Sequence, residues 1–261
     1  MLVLRSILFN VLFYLTLLVL MVVGLPVMLG GPRAVFALAN VWRATSVWLL
    51  ETICGLKVEY RGVENIPPGA VLIAAKHQSF LETFALLKYA PDFAIILKKQ
   101  LTYIPFFGWY LIVSRQIGID RARGRQALQQ IVEATKPVLA AGRQVFIYPE
   151  GTRRLPGAPP RYKTGVAAIY AGNAVPCLPV ALTTGLFWRR RGFLRRPGVA
   201  VIEYLPPIPP GLRRAEFATR LEAAIETACR RLNAEAVARD PSLQAVIDEG
   251  ANSDPEAETR A

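Results

Sequence analysis

The sequence predicts an α/β fold, with a mixed sheet of the α+β type flanked by helices and preceded by an N-terminal membrane-associated helical segment. After Gly55, short β-branched runs alternate with helical stretches, which is typical of such domains. Before Gly55 the chain is almost continuously apolar, and the whole sequence is 53% hydrophobic with a mean hydropathy of +0.32. We expect anchoring helices at 1–56, the folded domain at 57–239 and a disordered acidic tail at 240–261.

The first segment contains 24 residues without a charge, at 6–29. A helix of that length measures about 36 Å, against roughly 30 Å for the hydrocarbon core of a bilayer. A cleaved signal peptide is the alternative, because Arg5 gives a positive start and Ala-Leu-Ala at 37–39 resembles a cleavage site. The stretch exceeds the ~7–15 apolar residues of a signal peptide and lies far upstream of that site, which favours a retained anchor.

A second apolar segment follows at 34–56, interrupted by the charges of Arg43 and Glu51. Its Trp42 and Trp48 would suit the headgroup layer of a membrane. The segment is therefore either an interfacial helix beside the first one or a buried core helix.

The elements of the folded domain follow from hydrophobic periodicity and from turn residues. The predicted strands are 57–60, 71–75, 93–97, 145–148, 177–181 and 199–204. The predicted helices are 79–88, 125–140, 164–171 and 215–238. Four prolines between 206 and 210 exclude a strand immediately before the last helix.

Charge is distributed unevenly along the chain. The net charge is +12, but residues 240–261 carry −5, so the remaining body carries +17. A basic body implies an anionic partner, and the acidic, polar tail predicts disorder. We expect no nucleic acid, since no recognised nucleic-acid-binding pattern occurs, whereas anionic membrane lipid fits the hydrophobicity. The three cysteines lack C-x-x-C spacing, which excludes a disulfide scaffold and the usual structural zinc sites.

His77 is the only histidine of the chain, just after the predicted strand 71–75, and Glu82 follows five residues later. On a continuous helix these two side chains would point about 140° apart, so they meet only if the chain turns between them. Ser79 and Glu82 have the spacing of a capping box, which predicts a helix start at this point. Two interpretations remain open. Glu82 satisfies backbone N–H groups at the helix start, or its carboxylate orients His77 as a general base.

Two further segments combine glycine with arginine: Gly-Ile-Asp-Arg at 118–121 and Tyr-Pro-Glu-Gly-Thr-Arg at 148–153. In the second, Pro149 ends the strand ladder and Gly151 lets backbone N–H groups approach a ligand. Arg153 can bind a phosphate in a bidentate manner. Taken alone, each segment could equally be an ordinary turn. In a further segment, Val-Pro-Cys-Leu-Pro-Val at 175–180, two prolines bracket a short strand. This spacing is more suited to shaping the wall of a site than to chemistry.

Together these segments resemble the glycerolipid acyltransferase family, specifically the 1-acylglycerol-3-phosphate acyltransferases. That family carries, in order, a His and an Asp separated by four residues, a G-x-x-x-x-R-like block, a (F/Y)PEGTR block and a VPxxPV-like block. Here the blocks lie at 76–82, 118–121, 148–153 and 175–180, within a resemblance that covers about 60–201. Two positions depart from the pattern. The acid is Glu82 instead of an Asp, and Arg121 lies only three positions after Gly118.

The resemblance implies that the domain at 57–239 transfers an acyl group from a thioester to the sn-2 hydroxyl of lysophosphatidate, giving phosphatidate for phospholipid synthesis. His77 is then the general base, and Glu82 holds its tautomer. The implied substrate-binding residues are Arg121, Glu150, Gly151, Thr152 and Arg153. No metal or other cofactor is expected, and acyl-CoA or acyl-carrier protein is the co-substrate. Because either donor is cytosolic, we expect the active site on the cytoplasmic face of a bacterial-type inner membrane.

Several alternatives stay open. The same residues could act on another lyso-acceptor, such as a lysophospholipid or a lyso-aminolipid, or the chain could be a non-catalytic basic membrane adaptor. A hydrolase is disfavoured because the sequence has no G-x-S-x-G elbow. The arginine-rich segment 188–196 is either a solvated loop or a basic, aromatic surface that binds anionic membrane lipid.

Overall fold

The structure is a computed structural model that describes residues 1–120 and 125–253. Arg121 and residues 254–261 lie outside the described residues. Within those two ranges the chain forms a seven-stranded sheet. Its strands are β1 (Leu56–Arg61), β2 (Val71–Ala75), β3 (Phe93–Lys98), β4 (Ile117–Ile119), β5 (Gln144–Ile147), β6 (Cys177–Leu182) and β7 (Gly198–Tyr204).

The sheet is mixed, as predicted. Its strand order is β1-β7-β6-β2-β5-β3-β4, and neighbouring strands are parallel except for the antiparallel pair β6 and β7. The central strand β2 is entirely buried, which requires the continuous apolar run Val-Leu-Ile-Ala-Ala. Because β5 and β6 both run parallel to β2, the chain leaves all three strands at one edge of the sheet, hereafter the carboxyl edge.

Helices cover both faces of this sheet. They are α1 (Leu2–Val23), α2 (Gly31–Cys54), α3 (Leu81–Ala85), α4 (Phe107–Val113), α5 (Arg125–Ala140), α6 (Gly165–Gly172), α7 (Thr184–Phe187), α8 (Arg214–Arg239) and α9 (Gln244–Ala251). Successive strand residues point to opposite faces. In β2, Val71 and Ile73 pack with α1, α2 and α3, whereas Leu72 and Ala74 pack with α5, α6 and α8. In the described chain the sheet therefore separates two hydrophobic cores.

The two faces of α1 have different environments. Phe9 and Phe13 are 0% and 1% exposed and pack in an aromatic cluster with Trp188 and Phe84. The opposite face exposes large apolar side chains, including those of Leu4, Val11, Leu15 and Leu18. By length and composition α1 is apolar enough to cross a membrane, and 17% of its most apolar window is buried in the protein. An exposed apolar surface of this extent marks a membrane-associated region.

The second apolar segment forms α2. Its C-terminal residues Leu49, Leu50 and Cys54 are buried in the core shared with α1. Trp42 packs against that core, whereas Trp48 is exposed. The helix is thus a core helix at its C-terminal end, and a contact between Trp48 and lipid headgroups stays a prediction.

Most predicted elements agree with the structure to within a residue or two. The strand β4 was not predicted, because its three residues are too few to show a period and it pairs with β3 alone. The predicted helix 79–88 is shorter than expected, since α3 begins at Leu81 and a 3₁₀ turn, Leu86–Tyr89, follows it.

The prediction of disorder in the tail is wrong for residues 241–251, which form a 3₁₀ turn (Pro241–Leu243) and α9. The reason lies in two apolar side chains three residues apart, Leu243 and Val246, which are buried in the core on one side of the sheet. The Asp240 side chain caps this turn by accepting a hydrogen bond from the N–H of Ser242 at 3.0 Å. The remaining domain boundaries stay a prediction.

Candidate active site

The loops that follow β2 and β5 meet at the carboxyl edge of the sheet. His77 lies between β2 and α3, and the segment 148–153 follows β5 directly. The rings of His77 and Tyr148 are stacked, with 3.9 Å between their centroids. The backbone N–H of Arg154 donates to the carbonyl oxygen of His77 at 2.8 Å. The fold thus brings together two motifs that lie about 70 residues apart in the sequence.

His77 and Glu82 form a hydrogen-bonded pair. His77 Nδ1 and Glu82 Oε1 are 2.9 Å apart, Glu82 is 0% exposed, and His77 lines a cavity. A carboxylate can only accept a hydrogen bond, so Nδ1 carries the proton and Nε2 is the unprotonated nitrogen of a neutral ring. That tautomer is the one that lets a histidine take a proton through Nε2.

Glu82 also caps the start of α3. Its Oε1 accepts hydrogen bonds from the backbone N–H groups of Gln78 at 2.7 Å and Ser79 at 2.6 Å. The Ser79 hydroxyl in turn accepts from the N–H of Leu81 at 3.1 Å. The chain therefore turns between His77 and Glu82, and the separation expected on a continuous helix does not apply. One geometry is compatible with both interpretations of Glu82, since the same oxygen caps the helix and contacts the ring, and the role of His77 as a base stays a prediction.

A third loop at the carboxyl edge holds the other oxygen of Glu82. Thr184 follows β6, is buried, and donates its hydroxyl hydrogen to Glu82 Oε2 at 2.7 Å. Nearby, Gln78 Oε1 accepts from the N–H of Gly185 at 3.2 Å. The sequence motifs did not indicate Thr184, because it lies 102 residues from Glu82 and beyond the block at 175–180.

Glu150, which the sequence assigned to substrate binding, is placed outside the cavity in a buried ion pair. It is 2% exposed, and its Oε1 accepts from Lys76 Nζ at 2.9 Å. Lys76 is 3% exposed and also donates to Glu226 Oε1 in α8 at 2.7 Å. The hydroxyl of Tyr162 donates to the same Glu226 oxygen at 3.0 Å. Lys76 thus ties the loops after β2 and β5 to each other and to α8.

The Lys76 ammonium keeps its charge in this environment. Burial acts to lower its pKa, but the carboxylates of Glu150 and Glu226 outweigh burial, so the pKa is raised above the ordinary lysine value. A cation that does not titrate near neutral pH can hold two loops together but cannot exchange protons with a substrate. The geometry therefore gives Lys76, Glu150 and Glu226 a scaffold role.

Gly151, Thr152 and Arg153 line the cavity together with His77. Gly151 has a φ of +68°, in the left-handed region that favours glycine, so the turn expected at this position is present. That turn carries Arg153 to the cavity wall. Arg121, the remaining predicted substrate-binding residue, lies outside the described residues.

The cavity has a volume of about 670 Å³ and two kinds of lining. Its apolar wall comes from α1, α2, β3 and α4, with side chains that include Leu17, Met21, Phe36, Leu97 and Tyr110. Its cationic side chains are Lys98, Arg153, Arg190 and Arg191. No Asp or Glu of the described ranges contributes to the lining. A site with several cations and no carboxylate focuses a positive potential and favours an anionic group, while the apolar wall favours hydrocarbon.

Part of the arginine-rich segment 188–196 has a structural role. Arg195 is buried, and its guanidinium lies 3.9 Å from the centroid of the Trp188 ring. It also donates to Asn10 Oδ1 of α1 at 2.7 Å, so it fastens the segment to the N-terminal helix. The interpretation of a solvated loop is therefore wrong for this part of the segment.

Arg190 and Arg191 have a different position, because both line the cavity beside Arg153. Phe193 and Leu194, farther along, are exposed apolar side chains. Binding of anionic membrane lipid by this segment stays a prediction. The cavity position of the two arginines is a feature that the sequence alone did not indicate.

The three cysteines offer no alternative nucleophile. Cys54, Cys177 and Cys229 are buried free thiols, and none of them lines the cavity. Burial raises the pKa of Cys229 to about 12 and raises that of Cys177 further, which keeps both as unreactive thiols. Across residues 1–120 and 125–253, no group of three or more His, Cys, Asp or Glu side chains is placed to hold a metal ion.

Comparisons with known proteins indicate the family of the chain. The sequence model of the Acyltransferase family matches residues 57–183. The 1-acyl-sn-glycerol-3-phosphate acyltransferase of Pseudomonas aeruginosa is 36% identical over 173 residues, which cover 66% of this chain and 67% of that protein. The enzyme of the same name from Limnanthes alba is 30% identical over 164 residues, which cover 62% of this chain and 57% of that protein.

The fold is also similar to a solved structure, the 1-acyl-sn-glycerophosphate (LPA) acyltransferase PlsC from Thermotoga maritima. The TM-score is 0.73 at 23% identity, over 89% of this chain and 98% of that one. At this identity the similarity shows the fold. Together with the sequence matches, it leads to one conclusion: the chain belongs to the acyltransferase family that includes the 1-acyl-sn-glycerol-3-phosphate acyltransferases.

Proposed function

We propose that the protein transfers an acyl group from a thioester to the sn-2 hydroxyl of 1-acylglycerol-3-phosphate, giving phosphatidate in phospholipid synthesis. The observation that carries this proposal is the His77–Glu82 pair, 2.9 Å apart, in a cavity that also contains Arg153. A base, a cation and an apolar wall in one cavity match the hydroxyl, the phosphate and the acyl chain of that acceptor. The activity named for the relatives supports the same acceptor.

In the proposed mechanism, His77 Nε2 removes the proton from the sn-2 hydroxyl as the oxygen attacks the carbonyl carbon of the thioester. The C–S bond then breaks, and the leaving thiolate receives the proton back from the imidazolium. Base catalysis of this kind typically contributes about 10²–10⁴-fold to the rate. Glu82 stabilises the imidazolium that exists between the two steps and keeps the proton on Nδ1.

We assign the phosphate of the acceptor to the cationic side chains of the cavity. The planar guanidinium of Arg153 can donate to two phosphate oxygens at once. Thr152 lies in the same turn and offers its hydroxyl as a further donor, whereas the N–H of Gly151 donates to the carbonyl oxygen of Tyr148 at 2.8 Å, so Gly151 shapes the turn. Arg121 belongs to this set on the strength of the sequence motif alone.

Two changes to the substrate-binding set follow from the structure. We replace direct binding by Glu150 with an indirect role, in which Glu150 holds the loop of Arg153 through its ion pair with Lys76. We add Arg190 and Arg191, because their side chains line the same cavity as Arg153.

The apolar wall of the cavity receives an acyl chain. Leu17, Leu20 and Met21 of α1 contribute to that wall, while other residues of the same helix form the exposed apolar face. An acyl chain that passes along α1 therefore stays in apolar surroundings between the bilayer and the site, which avoids the cost of exposing it to water.

The donor in this proposal is acyl-CoA or acyl-carrier protein, and no metal or other cofactor takes part. The body charge of +17 supports an anionic donor and an anionic membrane surface as partners. The protein associates with the membrane through its N-terminal helix, and we place the active site on the cytoplasmic face of a bacterial-type inner membrane, where either donor is available.

The experiment is a radiolabelled acyl-transfer assay on the purified, lipid-reconstituted protein. Acyl-CoA and acyl-carrier protein serve as donors, and lysophosphatidate is compared with lysophospholipid and lyso-aminolipid acceptors, each with and without a chelator. We expect phosphatidate to form fastest and the chelator to have no effect. A faster reaction with another acceptor would move the activity to that acceptor, and folded protein that transfers to none would support the membrane adaptor instead.

A further inference from the structure

The turn after β6 is the part of the carboxyl edge that the family motifs leave without a role. Thr183, Thr184 and Gly185 occupy it, and all three are buried. Because β6 pairs with β2 on the side opposite to β5, this turn reaches the His77 loop from the other direction. The His77 loop therefore lies between two neighbouring loops, of which the motifs identify only one.

The turn supplies a hydrogen-bond donor to the second carboxylate oxygen of Glu82. Three groups contact Oε1, namely the N–H groups of Gln78 and Ser79 and the ring of His77. Thr184 Oγ1 donates to Oε2 at 2.7 Å. Rotation of the carboxylate about its Cγ–Cδ bond moves both oxygens, so the contact at Oε2 adds to the three at Oε1 in fixing the plane of the group. The plane of the carboxylate decides how Oε1 meets the Nδ1–H of the imidazole.

The position of Thr184 does not depend on a substrate, because the turn is held on both sides. Thr183 Oγ1 accepts a hydrogen bond from the N–H of Val201 in β7 at 2.9 Å. The N–H of Gly185 donates to Gln78 Oε1 at 3.2 Å, and a Cβ at Gly185 would lie only 2.7 Å from the Gln78 Cβ. The backbone of this turn thus packs tightly against the His77 loop. A side chain held in this way can orient a neighbouring group before substrate binds.

We propose that Thr184 is a positioning residue for the acyl transfer, which acts through Glu82 to hold His77 in its productive orientation. The inference rests on the proposed function, in which His77 is the base. Thr184 touches no reacting atom in this account. Outer hydrogen-bonding partners of this kind typically change activity about 10–100-fold when they are removed.

The test uses two substitutions at this position and a matched control next to it. Thr184→Val keeps the shape of the side chain and removes the donor, whereas Thr184→Ser keeps the donor. Thr183→Val removes an equally buried hydroxyl, whose hydrogen bond goes to Val201 within β7 and not to Glu82. We expect kcat to fall about 10-fold or more in Thr184→Val with KM unchanged, and to stay within about threefold of wild type in the other two variants.

A double-mutant cycle shows whether the effect passes through Glu82. In a Glu82→Gln background, Thr184→Val should lower kcat by less than about twofold, because the group that it positions has already lost its charge. Independent, multiplicative losses would overturn the inference, as would equal losses in Thr184→Val and Thr183→Val. If Thr184→Val does not fold, Thr184→Ala and Thr184→Ser give the same comparison, since they differ by the hydroxyl alone.

The proposed function and this inference can fail separately. Wild-type and Thr183→Val protein that make no phosphatidate would contradict the function. Wild-type protein that makes phosphatidate, with a Thr184→Val variant as active as Thr183→Val, would contradict the role of Thr184 alone.

Discussion

The segments that follow β2 and β5 each bury a glutamate, yet the two carboxylates have different partners. Glu82, in α3, contacts the ring of His77 and the backbone of the loop before that helix. Glu150 contacts Lys76, which also binds Glu226 of α8. A buried carboxylate needs compensation in either case. The two glutamates therefore differ in the nature of their partner. In this account, a carboxylate beside a ring that exchanges protons takes part in catalysis, and one beside a fixed cation stabilises the fold.

The largest effect is expected on the β2 side, where His77→Ala tests the role of the histidine ring in catalysis. We expect kcat to fall about 10²–10⁴-fold, because the described cavity lining contains no second histidine and no carboxylate to replace the ring as a base. The melting temperature should stay close to wild type, since His77 lies at the cavity wall. Acyl transfer to lysophosphatidate at a near wild-type rate would contradict the role of His77 as the base.

On the β5 side, Glu150→Ala tests the contribution of the buried ion pair to stability. The substitution leaves Lys76 buried with Glu226 as its remaining carboxylate. We expect a loss below the roughly 3–5 kcal/mol of the free energy of unfolding that an uncompensated buried charge costs, and above that of an exposed ion pair. Denaturant titration in detergent measures the loss. The control is Glu235→Ala, which removes partly exposed ion pairs with Arg61 and Arg231, each of which should contribute only about 0–1 kcal/mol. A stable Glu150→Ala protein with a strongly raised KM for lysophosphatidate would restore Glu150 to direct substrate binding.

Arg153→Ala tests substrate binding by the β5 loop, because Arg153 faces the cavity and Glu150 does not. A hydrogen bond to a charged group contributes about 1.5–3 kcal/mol. We therefore expect KM for lysophosphatidate to rise about 10–100-fold with kcat little changed, as initial rates over a range of acceptor concentrations would show. Arg153→Lys keeps the charge and should recover part of the loss, because it lacks the bidentate geometry. An unchanged KM would remove Arg153 from the phosphate site.

The smallest expected effect is that of Tyr162→Phe, which removes one donor to Glu226 and leaves the Lys76 ion pairs in place. A single hydrogen bond of this kind contributes about 1 kcal/mol to stability. A small fall in the melting temperature with unchanged kcat and KM would agree with the scaffold role. A large fall in kcat would show that this network reaches the chemistry.

The sequence predicted the elements of the fold well but not their arrangement. Periodicity located β2 and α5 at 71–75 and 125–140, because local patterning decides such elements. The strand order and the antiparallel pairing of β7 depend on contacts between distant segments. The acidic tail was misjudged for a related reason: average composition outweighed Leu243 and Val246, whose burial orders α9.

Prediction of the site from the sequence was limited in the same way. His77 and Glu82 were identified because their motif lies within six residues and contains its own helix cap. Thr184 and Glu226 contact this region from more than 100 residues away, so no local pattern could indicate them. Glu150 illustrates a further difficulty, since its motif marks the position without indicating whether the carboxylate faces the cavity or the core.

The most direct test of this account is the kcat of Glu82→Gln, measured together with its melting temperature. Glutamine keeps an oxygen for the N–H groups of Gln78 and Ser79, so it preserves the helix cap. It removes the charge beside His77 and replaces the oxygen that accepts from Thr184 by an NH2 donor. We predict a fall in kcat of about 10–100-fold, with KM and the melting temperature close to wild type. A kcat near the wild-type value would contradict the account and would leave Glu82 as a helix cap alone.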